Sequence, residues 1–167
     1  MNKIHSLRRG HYLLLTSVFI AFSFSFNAEA QIPQSVPASL DKPNLWEAKD
    51  LIQPAELASI LANKKNKMPA IFNIGVVEDI EGAKRLGAAS KKDNLENLKD
   101  HLSKLPKMGM VVIYCGCCPF EKCPNIRPAF ALMKDMGFVN GRLLNIPVNL
   151  KQNWISKGYP MLSQRQI

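Results

Sequence analysis

Short apolar segments alternate with amphipathic ones along the chain from about residue 53 onwards. Residues 70–74 and 110–114 are short, apolar and rich in β-branched or aromatic side chains, and residues 142–146 form a similar segment. Such runs are typical of buried strands. Helices are predicted from residue 54 onwards and over residues 91–104, 126–136 and 150–157. This alternation predicts an α/β fold with a mostly parallel central sheet and helices on both faces.

The beginning of the chain has a different pattern. Its first nine residues include three bases and no acid, and residues 12–26 are a largely apolar run. Residues 27–30 follow with the small-x-small pattern of a cleavage site. Together these features predict a secretory signal peptide over residues 1–30, cleaved after Ala30. The apolar run is shorter than the roughly 20 residues of a membrane-spanning helix, so we expect no membrane anchor after cleavage.

The composition of the whole chain is that of a protein with one domain of ordinary size. Apolar residues make up 47% and charged residues 21%, which is enough to bury a core. The formal net charge is +9, but no basic stripe alternates with aromatic residues, so we expect no nucleic-acid partner. Residues 31–45 are rich in proline and predict an extended N-terminal arm, which leaves residues 46–167 for the domain. We expect the protein to be periplasmic or secreted.

All four cysteines lie in the loop between the strand at 110–114 and the helix from residue 126. Ligands of parallel sheets bind beyond the carboxyl ends of strands, and Cys115 directly follows such an end. The positive end of the helix dipole favours a thiolate there and lowers the pKa of the thiol. We therefore predict that Cys115 is the catalytic residue. The predicted active-site loop also contains Gly116, Cys117, Cys118, Phe120, Lys122, Cys123, Asn125 and Arg127.

Several of these loop residues have an expected role. Gly116 permits a tight turn beside Cys115, Asn125 is expected to cap the helix, and Lys122 and Arg127 add positive potential. The least strained disulfide is expected to join Cys123 to Cys117 or Cys118, across Pro119 and Phe120, which leaves Cys115 free.

Four short motifs resemble those of rhodanese-like domains, between residue 51 and about residue 161. They are Tyr114-Cys115 after a strand, Gly137-Phe138-Val139-Asn140 after a helix, the W-x-x-x-G-Y-P segment from Trp154 to Pro160, and Ile80-Glu81-Gly82-Ala83. The resemblance implies a rhodanese-like α/β fold and a sulfurtransferase whose cysteine nucleophile carries sulfur as a persulfide. The position that matches this nucleophile is Cys115. A small sulfur-containing substrate or a thiol acceptor would be the partner, with no cofactor and no bound metal.

The chain also departs from the family pattern. The usual Asp after the second strand is Asn73, the Arg that tends to follow is replaced by Gly75, and Asp79 stands in place of a His. The usual glycine pair before the closing Trp is missing from residues 147–149, and the cysteine loop is longer than in the family. Family members that act on phosphate or arsenate have Arg six residues after the cysteine, where this chain has Glu121, so that activity is not expected.

Two other functions are compatible with the cysteine loop. Neighbouring thiols support thiol–disulfide redox chemistry with Cys115, and four thiolates in nine residues support binding of a soft ion such as Cu(I) or zinc. The adjacency of Cys117 and Cys118 argues against zinc, because structural zinc sites pair cysteines two to four residues apart. A purely structural role, with the cysteines buried or bridged, is the remaining alternative. The single histidine after residue 30, His101, is expected on a solvated helix, and a catalytic role for it is not favoured.

Overall fold

The computed structural model of the chain describes residues 45–63, 65 and 67–163. The predicted signal peptide over 1–30, and all of the predicted arm except Leu45, lie outside the described residues. The strands are β1 (Leu51–Ile52), β2 (Ala70–Asn73), β3 (Ala83–Arg85), β4 (Val111–Tyr114) and β5 (Gly141–Leu144). They form one sheet in the order β1-β5-β4-β2-β3, and every pairing between them is parallel.

Helices cover both faces of this sheet. They are α1 (Pro54–Ala62), α2 (Lys92–Ser103), α3 (Ile126–Asp135) and α4 (Leu150–Asn153), with single 3-10 turns at Ala48–Asp50, Phe120–Lys122 and Ile155–Lys157. The predicted α/β fold with helices on both faces is therefore confirmed, and the sheet is all-parallel. No helix in the described part of the chain is long and apolar enough to cross a membrane.

Alternating side chains along β4 divide the core into two layers. Val111 and Ile113 pack with the apolar faces of α2 and α3, whereas Val112 and Tyr114 pack with those of α1 and α4. Successive side chains of a strand point to opposite faces. Cys115, one step beyond Tyr114, therefore falls on the α2 and α3 side and belongs to that core layer.

Two strands differ from what the sequence pattern predicts. β1 has only two residues, and β3 includes Lys84 and Arg85, which are exposed at the edge of the sheet. Neither has the apolar run by which a buried strand is recognised. The predicted strand at 142–146 occupies Gly141–Leu144, and the predicted last helix is split into α4 and a 3-10 turn.

Candidate active site

Cys115 lies at the carboxyl end of β4, the middle strand of the sheet. β4 pairs with β5 on one side and β2 on the other, which fixes the backbone that precedes the cysteine. The Cys115 side chain is only 1% exposed. It follows a rigid strand and lies beyond the carboxyl ends of the strands, where ligands of parallel α/β proteins bind.

The next residue turns the chain sharply. Gly116 has a φ of 72°, in the left-handed region that favours glycine, and its carbonyl accepts a hydrogen bond from the Leu150 N–H at 2.8 Å. A Cβ on Gly116 would lie 2.9 Å from the Leu150 Cβ, so the position lacks room for a side chain as well. The predicted tight turn is thus confirmed. The Sγ atom of Cys117 lies 3.2 Å from that of Cys115.

Three of the four thiols form one group. The Sγ atoms of Cys115, Cys117 and Cys123 all lie within 4.8 Å of one another, and we call these three residues the thiol cluster. Cys118 is outside the cluster, with its Sγ 3.4 Å from that of Cys117. All four cysteines are free thiols, so the predicted disulfide from Cys123 to Cys117 or Cys118 is not present. Its absence fits the burial of Cys123, whose sulfur faces inward in the cluster with Cys115.

Hydrogen bonds within the cluster favour one thiolate over the other two. A hydrogen bond from the Cys123 thiol, with others from Asn125 and from the backbone and thiol of Cys117, lowers the pKa of Cys115 to about 5 against the effect of burial. Burial of its sulfur and the hydrogen bond to Cys115 raise the pKa of Cys117 to about 12. The hydrogen bond to Cys115 and burial also raise the pKa of Cys123. At neutral pH the cluster therefore contains the Cys115 thiolate and two protonated thiols.

Asn125 stands at the N-cap position of α3, but its side chain does not cap the helix. Its Oδ1 accepts a hydrogen bond from the Ser90 N–H at 2.9 Å, and its Nδ2 donates one to the Cys115 Sγ at 3.2 Å. The predicted capping role is therefore wrong, because the side-chain amide bridges the loop before α2 and the Cys115 sulfur. Asn125 is a buried donor to the thiolate instead.

Gly75 is a site residue that sequence reasoning missed. β2 pairs with β4 so that Asn73 is opposite Tyr114, which brings Gly75 beside Cys115. A Cβ on Gly75 would lie 2.7 Å from both the Sγ and the carbonyl oxygen of Cys115. The Asn73 Oδ1 accepts a hydrogen bond from the Gly75 N–H at 3.0 Å and holds this close approach. The sequence feature that could have indicated this role is the departure from the rhodanese pattern, in which a large Arg tends to stand where this chain has Gly75.

The segment after Gly75 is held to β4 through the Tyr114 hydroxyl group. This hydroxyl accepts a hydrogen bond from the Ile80 N–H at 3.0 Å and donates one to the Glu78 carbonyl at 3.2 Å. Burial raises the pKa of Tyr114, so the phenol stays neutral. The residue before the cysteine therefore anchors the neighbouring loop.

The other predicted loop residues lie farther along the loop. Phe120 is buried against Trp46, with ring centroids 5.5 Å apart, and the Arg127 guanidinium lies 5.2 Å from the centroid of the same Trp46 ring. Lys122 is exposed at the end of the 3-10 turn. The contribution of Lys122 and Arg127 to the positive potential stays a prediction. His101 is half-buried on α2, where its Nδ1 is hydrogen-bonded to the Asn97 carbonyl.

Comparison with known proteins adds no family to this picture. No protein-family model, no curated protein and no solved structure matches the chain. The thiol cluster and its surroundings are therefore the features of the molecule that indicate a function. Three thiols this close can act as nucleophiles, form disulfides, or hold one soft metal ion.

Proposed function

We propose that the protein is a sulfurtransferase of the rhodanese type, which carries sulfane sulfur as a persulfide on Cys115. The Cys115 thiolate would attack the outer sulfur of a donor such as thiosulfate, so that a sulfur–sulfur bond forms on the protein and sulfite leaves. A small thiol acceptor would then take the outer sulfur and return Cys115 to the thiolate. The observation that carries this proposal is the buried Cys115 thiolate at the end of the central strand.

The hydrogen-bond donors around Cys115 suit this chemistry. The Asn125 amide and the Cys117 backbone N–H are neutral donors held by the fold, and both are directed at the sulfur. Preorganised donors of this kind stabilise a negative charge without reorganisation during the reaction. They would favour both the attacking thiolate and the persulfide anion. The thiolate is the reactive form of a cysteine, so a pKa of about 5 keeps Cys115 active at neutral pH.

The positions of the resembling motifs also support a rhodanese-like domain over residues 46–167. Gly137 has a φ of 80° in the turn directly after α3. The Trp154 indole N–H donates to the Pro160 carbonyl at 3.0 Å, which closes the W-x-x-x-G-Y-P segment on itself. The Glu81 N–H donates to the Pro160 carbonyl at 3.2 Å, so two of the motifs meet. We include export through the signal peptide over residues 1–30 in the proposal, with cleavage after Ala30.

Sulfur transfer from thiosulfate to an added thiol or to cyanide tests the proposal. We expect activity in the wild type and in Cys118→Ser, whose side chain lies outside the thiol cluster, and no activity in Cys115→Ser. In Cys117→Ser, which lacks the neighbouring thiol 3.2 Å from Cys115, mass spectrometry should locate one additional sulfur atom on Cys115. Full activity in Cys115→Ser would overturn the rhodanese mechanism, and so would a wild type that neither transfers nor releases sulfur from thiosulfate or from persulfide donors.

Binding of a soft metal ion is a second candidate function. It is favoured by the distances within the thiol cluster, where three sulfur atoms lie within 4.8 Å of one another. Three thiolates suit Cu(I) better than zinc, which takes four ligands in structural sites. Titration of the reduced protein with Cu(I) against a coloured Cu(I) chelator tests this function. Tight binding that Cys123→Ser loses and Cys118→Ser keeps would support it, and binding no tighter than that of Cys123→Ser would exclude it.

A further inference from the structure

Cys117 is the part of the thiol cluster that reaches the surface. Cys115 and Cys123 are 1% and 2% exposed, whereas Cys117 is exposed, and its Sγ lies 3.2 Å from that of Cys115. On its other sides the Cys115 sulfur meets Gly75 and Asn125. The exposed thiol in contact with the buried thiolate is therefore Cys117.

We propose that Cys117 is the resolving thiol of the site, which attacks the Cys115 persulfide, expels hydrosulfide and leaves a Cys115–Cys117 disulfide. This inference rests on the proposed persulfide at Cys115. In the step, the Cys117 Sγ bonds to the Cys115 Sγ, and the bond to the outer sulfur breaks. The Cys117 proton passes to the anionic outer sulfur, so that Cys117 attacks as the thiolate, and the outer sulfur leaves as hydrosulfide with the electron pair of the broken bond. The sulfane sulfur is reduced to hydrosulfide, and the two cysteines are oxidised together by two electrons.

The distances favour attack on the inner sulfur. The two Sγ atoms at 3.2 Å need to approach by little more than 1 Å to reach the roughly 2.05 Å of a disulfide bond. The left-handed conformation of Gly116 makes such a bond between residues two apart feasible. The ring it closes is small and strained, and strained, exposed disulfides are the readily reduced ones.

The other two cysteines fit the role less well. Cys118 is outside the thiol cluster, and its Sγ contacts that of Cys117. A bond from Cys115 to Cys123 would join two buried sulfurs and would present no exposed sulfur to a reducing partner. The exposed sulfur of Cys117 remains accessible, so an external dithiol can reduce the Cys115–Cys117 disulfide by thiol–disulfide exchange and restore both thiols. With that dithiol as co-reactant, the protein would release sulfide from sulfane sulfur.

A single-turnover experiment tests this step. The reduced protein, freed of added thiols, is mixed with thiosulfate, and sulfide release is measured together with the intact mass. We expect the wild type and the matched variant Cys118→Ser to release one equivalent of sulfide and to lose two hydrogens, with the disulfide mapped to Cys115 and Cys117. Cys117→Ser should instead gain one sulfur on Cys115 and release no sulfide. A sample without thiosulfate controls for oxidation by air.

The outcomes separate this inference from the proposed function. Sulfide release by Cys117→Ser at the wild-type level would overturn the inference, and so would a persulfide that is stable in the wild type, while both leave the sulfurtransferase in place. Accumulation of the persulfide in Cys123→Ser but not in Cys117→Ser would move the role to Cys123 and contradict the inference. The absence of sulfur gain and of sulfide in every variant would overturn the proposed function, and the inference with it.

Discussion

Replacing Asn125 with alanine removes a neutral donor from the Cys115 thiolate. The Asn125 Nδ2 lies 3.2 Å from the Cys115 Sγ, and both side chains are buried. A hydrogen bond to a charged group contributes about 1.5–3 kcal/mol, and one pKa unit corresponds to about 1.4 kcal/mol. Loss of this bond disfavours the charged form, so the pKa of Cys115 should rise by about 1 to 2 units. From its value of about 5, it would remain below that of an ordinary thiol.

The consequence should be visible in the pH dependence of alkylation. In the wild type, the alkylation rate of Cys115 by iodoacetamide should increase through the pKa of about 5 and level off below neutral pH. In Asn125→Ala the same curve should be displaced to higher pH by about 1 to 2 units. Mass spectrometry of peptides assigns the label to Cys115 and separates it from the exposed Cys117.

A second asparagine provides the control. Asn149 is the N-cap of α4, and its Oδ1 accepts a hydrogen bond from the Gln152 N–H at 2.8 Å. Asn149→Ala removes a helix cap and should cost about 1 kcal/mol of stability, without removing a donor to Cys115. Its alkylation curve should match that of the wild type. Equal curves for Asn125→Ala and the wild type would refute the view that the side-chain amide stabilises the thiolate.

Three further predictions concern Gly75, Tyr114 and Cys115. Gly75→Ala should abolish sulfur loading and cost about 1–3 kcal/mol, because its Cβ would lie 2.7 Å from the Cys115 Sγ. The control Gly82→Ala, where φ is 74° but a Cβ meets nothing within 4 Å, should lose stability through backbone strain and still load sulfur. Loading by both variants would contradict this. Tyr114→Phe should lower the unfolding free energy in urea by about 1–3 kcal/mol, since the buried Ile80 N–H loses its partner. An unchanged midpoint would refute that contribution. Folding lowers the pKa of Cys115 from 9.0 to about 5. The thiolate therefore stabilises the folded protein fully above pH 9, and this stabilisation decreases as the pH falls from 9 to about 5. The stability difference between wild type and Cys115→Ser should shrink over that range, and a pH-independent difference would count against a folded-state thiolate.

The parts of the fold that sequence predicts well are those with a strong local pattern. The residues of β2 and β4 are short apolar runs, and α2 has leucines on one face, so each could be recognised without knowledge of its neighbours. β3 could not, because Ala83–Arg85 is a strand only through its pairing with β2 at the sheet edge. β1 is likewise a two-residue strand defined by its pairing with β5.

The site shows the same division. The place of Cys115 after β4 follows from local pattern, and so does the turn at Gly116. The proximity of Gly75 depends on the register between β2 and β4, which the local sequence does not contain. The inward position of Cys123 and the donor role of Asn125 depend on how the loop packs between α3 and the sheet. Long-range packing of this kind decides which cysteines meet.

The position of Cys115 in the middle of a parallel sheet also has a consequence for when the chain acquires its reactive thiolate. β4 needs partners on both sides, and the sheet is complete only when Leu51 pairs with Leu143, about ninety residues further along the chain. Sheets with such distant pairings form slowly. In the unfolded chain Cys115 is an ordinary, mostly protonated thiol, because the donors that favour its thiolate are not yet assembled. The nucleophile is thus generated only when the chain folds, which limits incorrect disulfide exchange among the four neighbouring cysteines while the chain is still unfolded.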